Sequence, residues 1–114
     1  MHDVWPVPMG DSDTKLAIRD NAARSRYEAE VDGSIAFIDY AHSDDGLILS
    51  HTEVPEALRG QGIAHRLIRS VLEQLRGEHR TMVPLCPFVL SFVKRHPEYR
   101  DVVVAKYRNL LPEP

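Results

Sequence analysis

Apolar and polar positions alternate through the first half of this chain and then change to a helical stripe. Tyr27, Ala29 and Val31 are interleaved with Glu28, Glu30 and Asp32, the period of a half-buried β-strand. Asp32-Gly33 follows; a tight hairpin turn needs positive φ, which glycine adopts freely. Residues 34–41 (Ser-Ile-Ala-Phe-Ile-Asp-Tyr-Ala) are the expected return strand. A second turn signal, Asp44-Asp45-Gly46, precedes another strand over 47–54 (Leu-Ile-Leu-Ser-His-Thr-Glu-Val), closed by Pro55. A short apolar run, Leu16-Ala17-Ile18, opens the series. The expectation is an antiparallel meander.

After Gly62 the period lengthens. Ile63, Ala64, Leu67, Ile68, Val71, Leu72 and Leu75 fall on one side of a 3.6-residue helix, with His65, Arg66, Arg69, Ser70, Glu73, Gln74 and Arg76 opposite. Gly77 suits a left-handed helix stop. Residues 80–85 then read as a strand, against which only Pro84 speaks. Strand, helix and strand at this spacing make a right-handed parallel crossover. A second helix is expected over 87–96, with Pro87 at its start, Phe88, Val89, Phe92 and Val93 as its apolar face, and Pro97 ending it. Three valines within 101–105 suggest a last strand. The fold class is therefore α/β (α+β): a mixed, mainly antiparallel sheet with one parallel crossover and a short C-terminal helix.

Length limits this to one domain, because 114 residues divided in two would leave neither half an adequate core. The division expected is an arm over 1–15, rich in Pro, Gly and Asp, a domain over 16–105 and a tail over 106–114. Fourteen Lys and Arg against 17 Asp and Glu give a net charge of −3, so no global basic field attracts nucleic acid or an anionic membrane. Any anion site must be local. One cysteine excludes an internal disulfide and favours a reducing compartment. With no apolar run of membrane-spanning length and no signal peptide at the start, the expected location is cytoplasmic.

The most informative stretch is 59–64, Arg59-Gly60-Gln61-Gly62-Ile63-Ala64, between a strand and a long helix. Two glycines let successive N–H groups point into one concavity, to which the helix start adds its own unpaired N–H groups. This is an anion cradle, or else a glycine-rich loop that merely starts a helix. It lacks the third glycine of a dinucleotide fingerprint and the Gly-Lys-Ser/Thr of a P-loop.

Arg59-x-x-Gly62-x-Ala64 after a meander resembles the acetyl-coenzyme-A signature of the GNAT N-acetyltransferase superfamily. His51-Thr52-Glu53-Val54-Pro55, the glycine loop, Pro84-Leu85-Cys86-Pro87-Phe88 and His96-Pro97-Glu98-Tyr99 together resemble a short single-domain subfamily, over about residues 25–103. The resemblance implies strands 47–54 and 80–85 that splay apart, pantetheine inserted between them, and a pyrophosphate on the loop. Val54, Arg59, Gly60, Gln61, Gly62, Ile63 and Ala64 are the implied coenzyme positions. The implied activity is acetyl transfer from acetyl-CoA to an unidentified small-molecule or peptide amine; the alternative is a coenzyme A-binding module without turnover. The paired N-terminal helices that wall off the acceptor in larger members have no counterpart in the pattern. Neither nucleic acid nor membrane is an expected partner, and the chain is expected as a monomer or weak dimer.

Such a transfer needs a base, since an amine of pKa about 10.4 is mostly charged at neutral pH. His51 and Glu53 share one strand face near the opening and are the base candidates, or else are simply solvated strand ends. Cys86, before Pro87 at a helix start, is expected near helix amides that favour a thiolate, and so is either an acetyl acceptor or inert packing. By resemblance Tyr99 competes with Cys86 for protonation of the leaving thiolate; it reads equally as a ring covering the core. Arg66, Arg69, Lys94 and Arg95 are candidates for contact with a coenzyme 3′-phosphate, or else form a solvated face. A zinc site from Cys86 with His51 or His96 lacks paired Cys/His spacing, so no metal is expected.

Overall fold

The computed structural model describes residues 16–111, so the arm assigned to 1–15 lies outside the described residues. The alternating segments form strands β1 (Arg19–Asn21), β2 (Arg26–Val31), β3 (Ser34–His42) and β4 (Leu47–Glu53), paired antiparallel in that order. Helix α1 (Ile63–Gly77) carries the chain to β5 (Met82–Pro84), which lies parallel to β4, and helix α2 (Pro87–Arg95) follows. The sheet order is β1-β2-β3-β4-β5, a mixed and mainly antiparallel sheet with one parallel crossover. Asp32 and Gly33 both take positive φ, 51° and 82°, as the tight hairpin between β2 and β3 requires.

The helical stripe is buried as its spacing requires: Ile63, Leu67, Ile68, Val71, Leu72 and Leu75 pack with Tyr27, Ile38, Leu47 and Leu49 of the sheet. Burial of six aliphatic side chains contributes on the order of 10 kcal/mol before ordering entropy is subtracted. Ala29 and Ala36, paired across β2 and β3 and fully buried, leave room for those larger side chains. Ser70, expected on the solvent side, is buried; its Oγ accepts from the Leu16 N–H at 2.6 Å and donates to the Arg66 carbonyl. That bond anchors the entry of the chain into the sheet.

Several local expectations are corrected. Leu16-Ala17-Ile18 precedes β1 instead of forming it, because the polar triplet Arg19–Asn21 is what pairs with β2. Gly77 stays helical; the left-handed residue is His79, at φ 57°. The valine run over 101–105 is not a strand, since Pro97 starts a 3-10 turn, Pro97–Val102, that uses up the segment. Only Val103 bridges Met82, while Val102, Val103 and Val104 are all buried. A further 3-10 turn, Ala105–Leu110, leads to buried Leu111 in the stretch assigned to a tail. Phe88 is 45% exposed and so lies off the packed face of α2.

Glu28 is a further correction, placed by alternation on a solvated face but only 2% exposed. Arg26 Nε donates to its Oε2 at 2.7 Å, Asn21 Nδ2 at 3.1 Å, and Arg19 Nη2 to its Oε1 at 3.3 Å. Burial alone pushes this carboxyl up, but the hydrogen bonds from Arg26, Asn21 and Arg19 outweigh it and hold it below its ordinary range. Arg26 also lies 4.2 Å over the Phe37 ring. The sheet face away from α1 is thus a polar layer built on Phe37.

Candidate functional site: parted strands and a glycine cradle

The register of β3 and β4 shifts once. Asp39 faces His51 but Tyr40 faces Leu49, so Ser50 is an extra residue, a β-bulge. One extra residue reverses the facing of everything beyond it. Leu47 and Leu49 point to the helices; past the bulge Thr52, opposite Ile38, takes that side. His51 and Glu53 turn to the open face with Asp39 and Phe37. Without the bulge both would share the side of Leu47 and Leu49. The two side chains are half-exposed, His51 Nε2 lies 3.0 Å from Glu53 Oε1, and the His51 ring is 6.4 Å from that of Phe37.

At the same point β4 leaves β5. Their pairing runs from Leu47–Met82 to Leu49–Pro84, and the Cys86 amide donates to the Leu49 carbonyl at 2.8 Å. Pro84 and Pro87 have no N–H with which to extend a ladder, and Pro87 starts α2. The end of β4 therefore opens into a cleft of about 430 Å³. Thr52, Glu53 and Val54 form one wall, Leu58 and Ile63 the apolar floor, Arg59, Gly60, Gly62 and Ala64 the loop side, and His65 and Phe88 the side toward α2.

Gly60 and Gly62 take φ of 84° and 69°, where side chains are strained, yet a Cβ on either would meet nothing within 4 Å. Backbone conformation, not crowding, is what requires glycine. Gly62 is also the N-cap of α1 and offers no side chain, so no capping group covers the first-turn N–H groups of Ile63, Ala64 and His65. Arg66 is the first to reach a helix partner, donating to the Gly62 carbonyl at 3.1 Å. No acidic residue occupies that turn. Arg59 Nε reaches the Val54 carbonyl at 3.4 Å and ties the loop to the end of β4. Uncapped amides, a helix dipole and a free concavity fit a diphosphate.

The implied coenzyme positions Val54, Arg59, Gly60, Gly62, Ile63 and Ala64 all line the cleft; Gln61 does not, its amide reaching toward the Ala57 carbonyl. Glu53 lines the cleft beside its partner His51. Cys86 is buried, 4% exposed, and its Sγ lies 3.4 Å from Thr52 Oγ1 without capping α2. Thr52, not the sulfur, forms the wall. Tyr99 sits apart, within the 3-10 turn after α2. Its hydroxyl donates to Glu73 Oε2 at 2.6 Å and accepts from Arg69 Nη1 at 3.0 Å. Burial first, and then the Glu73 bond, pushes that phenol up to about 12.

His65 and Phe88 are the cleft residues that periodicity assigned to other duties, one to a solvated face and one to a core. Phe88 had a signal in the sequence, its place in Pro84-Leu85-Cys86-Pro87-Phe88; His65 had none. Among the described residues no group of three or more His, Cys, Asp or Glu side chains is placed to hold a metal ion. No helix among them is long and apolar enough to cross a membrane.

Residues 26–102 match a family described as GCN5-related N-acetyl-transferase. The chain belongs to this family. Its matched span runs from the first residue of β2 to the end of the 3-10 turn holding Tyr99, and so contains the bulge, the parted strands and the cradle. The chain is also 29% identical over 99 residues to protein NATD1 of Danio rerio, covering 82% of this chain and 90% of that protein. To protein NATD1 of Homo sapiens it is 27% identical over 101 residues, 84% and 89% of the two chains. A shorter stretch of 49 residues is 41% identical to protein NATD1 of Bos taurus, 43% of each chain. Membership supports an acetyltransferase-like role for the domain.

Proposed function

We propose that the cleft binds acetyl-CoA and that the domain transfers its acetyl group to an amine. The observation that carries this reading is a coincidence of place: the strands part where an uncapped helix start and two positive-φ glycines form an anion cradle. A long ligand with a diphosphate at one end and a narrow arm at the other fits that combination. Thr52 to Val54 would hold the arm through the exposed strand edge, and the amides following Gly62 would hold the diphosphate. Acetyl-CoA supplies an activated thioester.

The chain's own residues handle the proton. An incoming ammonium must lose one before its nitrogen can form a bond to the acetyl carbon as the carbon–sulfur bond breaks. Glu53, on the cleft wall and bonded to His51, receives that proton and passes it to the exposed imidazole. After attack the nitrogen still carries one proton more than the amide keeps; it gives that proton to solvent at the mouth, and the departing thiolate takes one from the same solvent, so that only the proton received by Glu53 is released overall. The segment Pro84-Leu85-Cys86-Pro87-Phe88 ends the parallel pairing and sets Phe88 on the rim, which supports the reading of a short single-domain subfamily. A buried free cysteine suits the cytoplasm, where thiols stay reduced.

Calorimetry with coenzyme A tests the reading. Saturable binding is expected, and Gly62→Val should weaken it at least tenfold, because the branched side chain strains the turn and fills the concavity. ATP should protect the fold against heat less than coenzyme A at equal concentration. Absence of binding at millimolar coenzyme A overturns the proposal. A binding module without turnover is the second reading, favoured by the placement of Cys86 and Tyr99 off the cleft wall. Binding without acetylation of any amine in a broad panel would select it.

A further inference from the structure

His65 is the third residue of α1, so its backbone belongs to the cradle while its ring leans toward α2. The ring centroid lies 5.8 Å from Phe88 and 6.0 Å from Phe92. It lines the cleft beside Gly62 and Ala64. We infer that His65 is an anion-binding side chain of this cleft, and that it holds a diphosphate as imidazolium, with proton uptake from solvent when the ligand binds. This rests on the coenzyme reading above and adds a residue and a proton to it.

Its charged surroundings argue for this. Arg69 lies one turn along α1, Arg95 and His96 stand at the end of α2, and Arg59 is on the loop side. Carboxylates are fewer. Glu53 is on the other wall of the cleft, and Glu98, from the turn after α2, is engaged by His96 Nδ1 at 3.5 Å and Arg69 Nη1 at 3.8 Å. Partial burial against the two phenylalanines, then the charges of Arg95, His96 and Arg69, hold the imidazole below its ordinary value of 6.5. In the free protein these surroundings therefore favour the neutral imidazole. A diphosphate on the uncapped amides would bring negative charge to the same first turn and reverse that balance. The bound-state pKa then exceeds the free-state pKa. Affinity must rise as pH falls through the interval between the two, and level off below it.

Dephospho-CoA is the appropriate probe, because it keeps the diphosphate and lacks the 3′-monoester, whose own titration near pH 6 would obscure the result. Titration calorimetry of the full chain at pH 6 and pH 8, in buffers of different ionisation enthalpy, counts the protons taken up. Net uptake is expected near pH 6.5, with binding roughly three- to tenfold tighter at pH 6 than at pH 8, the range set by up to about one unit of pKa rise. His65→Gln should abolish uptake and flatten the pH profile of affinity; His96→Gln should leave uptake intact. Proton magnetic resonance of the histidine ring signals gives a second reading that needs no variant, the His65 signal moving to a higher pKa in the complex.

Binding by wild type with no uptake, uptake that survives His65→Gln, or an unmoved His65 titration overturns the inference and leaves the coenzyme reading standing. Failure of both dephospho-CoA and coenzyme A to bind at millimolar concentration, at either pH, overturns both.

Discussion

The Cys86 amide donates to the Leu49 carbonyl at 2.8 Å, and Leu49 is both the last residue of β4 paired with β5 and the residue before the Ser50 bulge. Two interruptions of the sheet, one on each side of β4, thus coincide. The first opens the cleft; the second decides which side chains face it. Thr52 goes to the side of the helices, and His51 and Glu53 go to the open face.

Deletion of Ser50 should therefore do more than shorten a strand. Restored alternation would carry His51 and Glu53 to the side of Leu47 and Leu49, and burying two titratable groups without partners costs several kcal/mol. A loss of at least about 3 kcal/mol is expected in urea denaturation, a large part of the 5–15 kcal/mol typical of a domain. Unchanged stability would mean that the strand absorbs the deletion and that the bulge has no such role.

Cys86 should remain unmodified by acetyl-CoA. Its sulfur is buried behind Thr52, so intact mass should show no acetyl adduct after prolonged incubation, and Cys86→Ala should cost about 1 kcal/mol while most activity survives. A hydroxylamine-sensitive adduct on the Cys86 peptide, consumed by an amine at the rate of turnover, would reinstate it as an acetyl acceptor.

Glu53→Gln preserves shape and removes the base. The rate should fall by roughly 10² to 10⁴, with the affinity for coenzyme A little changed. His51→Gln should have the smaller effect, because it removes the relay and leaves the carboxylate. Equal rates for wild type and Glu53→Gln would assign deprotonation to another group.

The elements with a strict period were readable in the sequence, and those fixed by a single tertiary contact were not. Alternation located β2, β3 and β4, and the seven-membered stripe located α1, because a repeating pattern records a buried face many times over. The bulge left no such record: Ser50 is an ordinary strand residue, and only its missing partner on β3 reveals it. Valines over 101–105 have strand propensity, but Pro97 commits the chain to a 3-10 turn and burial satisfies them without a ladder. Glu28 looked solvated because its three donors lie on two strands, distant from any pattern in its neighbours. Likewise the loop announced itself through Gly60 and Gly62, whereas His65 joined the site through its contacts with α2.

Tyr99 gives the last prediction, in which stability and catalysis separate. Its phenol is held at about 12 by burial and by the hydrogen bond to Glu73, against the opposing charge of Arg69. An unfolded tyrosine titrates near 10, so the fold favours the neutral form. The sign follows: the contribution is complete below pH 10 and is lost as pH rises from about 10 to about 12, at about 1.4 kcal/mol per pH unit for each such group. Tyr40, raised to about 12 by burial and by its bond to Asp20, acts in the same direction. Wild type should consequently lose stability steeply across that interval. Tyr99→Phe should reduce the slope by about one proton and cost about 1–3 kcal/mol at neutral pH, since Glu73 loses a donor and Arg69 an acceptor. Denaturation at pH 8, 10 and 11.5 measures both effects. Turnover at pH 8 should fall less than tenfold, because the hydroxyl is engaged away from the cleft. A loss of 10²-fold or more in kcat, with coenzyme A affinity preserved, would instead make Tyr99 the group that protonates the leaving thiolate.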